Sequence, residues 1–128
     1  MNINRNELIR TFVLMIVADD YEYFDKVSDD VSERGRQCGL AVNQSEVMRA
    51  LLSLIEAGLA KAYRYHPAPI NSFEEIQGAP PQEEISNRWS TYFWITPKGQ
   101  EILASNRERY WPFDDEGLLR KDWPNLEG

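Results

Sequence analysis

Residues 43–65, NQSEVMRALLSLIEAGLAKAYRY, hold a helix, its stop and the strand that follows it. Asn43 suits an N-cap, because its short side chain can accept an amide bond that the first helical turn leaves open. Glu46 lies three residues on, the spacing of a reciprocal capping box. Val47, Leu51, Leu54 and Ile55 then recur at helical spacing and define one buried stripe. Gly58 stands where a left-handed residue would end the helix. Residues 59–65 alternate like a half-buried strand and bring in Tyr63 and Tyr65.

Upstream, Asn4 and Glu7 repeat the capping spacing. Leu8, Ile9, Phe12, Val13, Met15 and Ile16 cover a broad face of a first helix ending near Ala18, wide enough for packing on more than one side. A second helix is expected from about 21–24, with Phe24, Val27 and Val31 inward and a stop near Gly35. Residues 36–42, with Gly39, form the turn into the third helix. Downstream, residues 89–95 read as a second aromatic strand. Thr96 then caps, and Pro97 opens, a short helix to about Asn106 that buries Ile102 and Leu103.

Residues 66–88 carry no periodic pattern. They hold four of the seven prolines and Glu74, Glu75, Glu83 and Glu84 against Arg88 as the one base, a local charge of −3. This is far longer than a usual hairpin loop. Residues 72–76 suit at most one helical turn. From residue 107 onward Tyr110, Trp111, Phe113, Leu118, Leu119 and Trp123 lie among prolines and acids, a segment expected to pack on the domain or on a partner.

The order of these pieces resembles a winged helix-turn-helix domain over residues 4–106. The resemblance is carried by Glu56-Ala57-Gly58-Leu59, which ends the third helix and enters the wing. It is carried equally by Ile95-Thr96-Pro97-Lys98-Gly99, which leaves the wing and caps the next helix. The expected class is α+β, mostly α. It has three N-terminal helices, a two-stranded wing extended by residues 66–88, a fourth helix, and an aromatic C-terminal tail over 107–128. The whole is similar to bacterial regulators of the small winged-helix type.

That resemblance implies a third helix in the major groove, with Asn43, Gln44, Ser45, Met48 and Arg49 as the reading residues. Arg34, Arg36, Lys61 and Arg64 would supply phosphate contacts. The expected partner is double-stranded DNA, bound by a homodimer formed through the first helix and the tail. Two departures stand against the pattern. The 35–42 connection is longer than a compact helix-turn-helix turn. The extended wing also offers glutamates where a wing that reaches DNA offers Lys or Arg.

The charge balance gives a rival reading. The 128 residues carry 14 basic and 21 acidic side chains, a formal charge of −7, whereas phosphate binders usually show a basic footprint. An acidic winged-helix protein-interaction module that does not bind DNA fits this balance. Its partner surface would lie on Tyr92 and Trp94, on the strand face opposite Thr91, Phe93 and Ile95, together with Trp111 and Trp123. The tail can alternatively fold back over Tyr92 and Trp94 and close that face within the chain.

Nothing in the sequence asks for enzyme chemistry. Cys38 is the single cysteine and His66 the single histidine, with no ligand spacing around them for a metal. The acid groups 19–20, 29–30 and 114–116 lack the glycine and spacing of a calcium loop and read as helix-end and surface charge. No phosphate-binding glycine loop or nucleophile elbow occurs. No enzyme activity, cofactor or metal is expected. With 42% hydrophobic residues and no apolar run near the roughly 20 residues that span a bilayer, the chain reads as one soluble, cytoplasmic domain.

Overall fold

The first helix is the centre about which the rest is arranged. The computed structural model describes residues 3–87 and 90–124. Helix α1 (Arg5–Asp19) buries Leu8, Ile9, Phe12, Val13, Leu14, Ile16 and Val17. It packs against α2 (Phe24–Gln37), α3 (Gln44–Glu56), α5 (Pro97–Tyr110) and strand β3 (Thr91–Ile95). Its broad apolar face is therefore used inside the chain, not at the dimer contact expected of it. Asn4 caps it by accepting from the Glu7 amide at 3.1 Å.

The described residues form five helices and a three-stranded antiparallel sheet, an α+β fold that is mostly helical. The two-stranded wing with a bare insert is thus corrected. Strand β1 (Ala60–His66) is central, with β3 on one side and β2 (Ser72–Glu75) on the other. Residues 72–76 therefore start as strand, not as a helical turn. The insert also forms a short helix α4 (Gln82–Ile85), anchored by a fully buried Ile85. The expected strand start at Trp89 and the base Arg88 lie outside the described residues.

Helix α2 runs past the expected stop at Gly35. That glycine ends nothing; it permits close approach, because a Cβ there would sit 2.6 Å from the Leu40 carbonyl oxygen. The Leu40 amide donates back to the Gly35 carbonyl at 2.8 Å, and the chain reverses at Gly39. Helix α3 ends as its sequence implies. Gly58 takes a φ of +76°, the Leu59 amide donates to Leu54 O and the Gly58 amide to Ile55 O, the paired bonds of a Schellman motif.

The two sequence pieces that suggested the fold meet in space. Thr96 Oγ1 accepts from the Gly99 amide as the α5 cap and donates to Gly58 O at 2.7 Å. The Thr96 amide donates to Leu59 O, and Lys98 Nζ to Ala57 O. The end of α3 and the start of α5 are thereby stitched together. Helix α5 continues to Tyr110, beyond the expected end at Asn106. Leu103 and Tyr110 point inward, whereas Ile102, expected in the core, is 37% exposed. No described helix is long and apolar enough to cross a membrane.

Candidate nucleic-acid interface

The capping box at the start of α3 is complete. Asn43 Oδ1 accepts from the Glu46 amide at 2.9 Å, and the Asn43 amide donates to Glu46 Oε1 at 3.3 Å. Glu46 also receives a two-pronged ion pair from Arg5, Nε to Oε2 at 2.9 Å and Nη2 to Oε1 at 3.0 Å. Arg5 holds the Glu46 carboxyl below the usual carboxylate range, chiefly through these hydrogen bonds. Asn43 is thus occupied through its side-chain oxygen, which leaves only its amide NH₂ for base reading.

Gln44, Ser45 and Arg49 are exposed and Met48 is half-buried. All four line one groove of about 410 Å³, closed on the other side by Phe24, Gln82 and Ser86. Arg49 also borders a second groove of about 430 Å³ between α1 and α3, lined by Asn4, Asn6, Glu7, Arg10, Glu46 and Ser53 among others. The structure therefore gathers Gln44, Ser45, Met48 and Arg49 on one face. Among the described residues, Arg49 has no carboxylate within ion-pair distance.

The supporting cations are placed differently. Arg34 does not join this face: its guanidinium lies over the Trp111 ring, 5.0 Å from the centroid. Arg36 pairs with Glu33 on its own helix. Lys61 pairs with Glu75 at 2.8 Å; Arg64 lies 3.9 Å from Glu74 and 3.6 Å from Glu84. Glu75 is held below its ordinary value by Lys61, and Lys61 is raised in return by Glu75. Sequence reasoning missed Gln82 and Ser86 as neighbours of α3 and Glu84 as a partner of Arg64. The available signal was Pro80-Pro81 before Gln-Glu-Glu-Ile, a proline start followed by one apolar anchor.

The outer face of the sheet is an aromatic layer. Residues 21–23 lie along β3 through a bridge between Glu22 and Phe93, which sends Tyr21 and Tyr23 to the outer side. Tyr21 stacks on Phe73 at 3.9 Å and meets Tyr63 and Trp94 edge-on. Tyr23, Tyr65 and Phe73 surround Tyr92. Tyr92 and Trp94 are thus covered in part by the chain itself, through Tyr21, Tyr23 and the insert, not by the C-terminal aromatics. Burial pushes the Tyr63 hydroxyl above its usual range.

The tail packs elsewhere. Trp123 is 9% exposed, and its indole N–H donates to Cys38 O at 3.1 Å, so it offers no free partner surface. Trp111 meets Phe113 edge-on, and the guanidinium groups of Arg34 and Arg107 lie 5.0 and 5.9 Å from its ring centroid. Cys38 is buried, and burial pushes its thiol up to about 11, away from nucleophilic chemistry. His66 lies 3.4 Å from Glu74 on the exposed end of β1. Among the described residues, no three His, Cys, Asp or Glu side chains are placed to hold a metal ion.

No protein-family profile and no curated protein matches this chain. A solved structure does share its shape: a transcriptional regulator from Clostridium thermocellum. It aligns over 85% of this chain and 88% of its own, with a TM-score of 0.56 and 15% identity. At that identity the likeness is one of fold, and the fold of this chain is that of the regulator.

Proposed function

We propose that this protein is a transcriptional regulator of winged-helix type that binds duplex DNA through α3. The observation that carries the reading is the capped, exposed start of α3, where Gln44, Ser45 and Arg49 face solvent beside half-buried Met48. An amide, a hydroxyl and a guanidinium at that position suit adenine, phosphate and guanine contacts respectively. The likeness to a regulator structure supports the fold that such docking needs. As a homodimer the protein would read two half-sites. In this chain a dimer contact would fall on the tail, where Leu118 and Leu119 are 62% and 45% exposed, because α1 is covered.

A salt titration against random-sequence duplex DNA, by fluorescence anisotropy, tests the reading. Affinity should fall steeply with salt as counterions are recaptured. Arg49→Ala should weaken binding by about 1–3 kcal/mol if Arg49 reads a base, and less selectively if it holds phosphate. A second reading, a protein-interaction module, is favoured by the carboxylates that neutralise Lys61 and Arg64. Absence of binding even at low salt, both by this chain and by a variant in which those carboxylates are neutralised, would decide for it.

A further inference from the structure

The insert does two things at once. Strand β2 sets Glu74 directly opposite Arg64, and Glu75 one diagonal step from Lys61. Helix α4 then brings Glu84 to Arg64 and lays Gln82 and Ser86 across the groove from Gln44, Ser45, Met48 and Arg49. Buried Ile85 pins that helix to the core, so its position beside α3 is fixed by packing. Three carboxylates therefore occupy the two cations at the base of the wing, while the same segment flanks the exposed face of α3. A phosphate reaching Lys61 or Arg64 meets a glutamate already in place.

We propose that the insert is an intramolecular competitor for phosphate, whose Glu74, Glu75 and Glu84 hold Lys61 and Arg64 away from DNA. The inference rests on the DNA-binding reading of α3 and names how that site is regulated. The competing side chains are 63%, 38% and 45% exposed. Ion pairs at such exposure are weak enough to exchange for a stronger polyanion. The device thus sets a threshold: only a site whose base contacts to α3 are good enough draws the two cations out of their pairs. It lowers affinity for arbitrary sequence, where phosphate contact supplies essentially all of the binding.

The test compares three full-length proteins on random-sequence duplex DNA over a range of salt. They are the wild type, E74Q/E75Q/E84Q, and the charge-matched control D29N/D115N/E116Q. The control acids line neither α3 groove and pair with neither Lys61 nor Arg64. The triple glutamine variant should bind about tenfold more tightly at low salt. Its slope of log affinity against log salt should steepen by about 2, for two recovered phosphate contacts. The control should change much less in both respects. Equal gains in variant and control would overturn the proposal, since net charge alone would then account for them. A wild type that binds and a glutamine variant that binds no better would overturn it while leaving the role of α3 intact. If neither binds, both readings fall; if only the glutamine variant binds, both stand.

Discussion

Glu46 shows how much one side chain can carry. It closes the α3 capping box, and it receives Arg5 from the first turn of α1. The first role is legible in the Asn43–Glu46 spacing. The second is not, because Arg5 lies 41 residues away and nothing local marks it. The pH behaviour follows from the pair. Arg5 depresses the folded-state pKa of Glu46 below its ordinary, unfolded value. The stabilisation is therefore present above the unfolded value and is lost as pH falls through the depressed folded one. Glu46 is 14% exposed but Arg5 is 41% exposed, so solvent screening discounts the pair. Glu46→Gln should cost about 1 kcal/mol at pH 7 in urea unfolding, since the cap can survive on the amide oxygen. As pH falls through the depressed folded value, wild type and variant should converge. A gap that does not narrow in acid would mean that Glu46 acts through shape and not through charge.

Elements were readable where their own residues decide them. Helix α3 starts and stops where its cap, its stripe and Gly58 indicate, and the Thr96-Pro97 start of α5 stands as read. The insert defeated the same reasoning for a physical cause. All four residues of β2 are exposed, so no alternation of apolar side chains marks it; the open edge of β1 makes it a strand. Helix α4 has four residues, too few to form by propensity. It exists because Ile85 is fully buried, and the site-forming role of Gln82 and Ser86 depends on that anchor. Ile85→Ala should cost about 2–4 kcal/mol in equilibrium unfolding, the range for removing a buried isoleucine side chain beyond Cβ. It should also speed hydrogen exchange of the Glu84 and Ile85 amides, which bond to Pro81 O. A cost under about 0.5 kcal/mol would mean that Ile85 anchors nothing, and that α4 is not held beside α3 by packing.

At the scale of the whole molecule, residues 107–124 of the tail pack back on the helices. Its aromatic content says that it does not stay in water, but where it docks is settled by partners far off in sequence. Trp123 bonds Cys38 O across 85 residues, and Arg120 holds the carbonyls of Glu108 and Trp111 while pairing with Asp122. The tail thus ties the end of α5 to the turn after α2, and Arg34 of α2 lies over Trp111. Cys38 reports on this closure. It is 2% exposed, and with its thiol pushed up to about 11, roughly one thiol in a thousand is ionised at pH 8. Alkylation of the native protein should accordingly be slow, and it should proceed through opening of the tail. Trp123→Ala removes the ring and leaves the Cys38 carbonyl without its indole donor, a loss of about 3–5 kcal/mol. The same variant should label at Cys38 at least tenfold faster under native conditions, because exposure and a lower thiol pKa act in the same direction. Trp123→Phe, which keeps most of the packing but not the N–H, should fall between the two. Equal labelling rates in all three proteins would show that the tail lies on the surface without closing it. Arg34 would then be held by Trp111 alone.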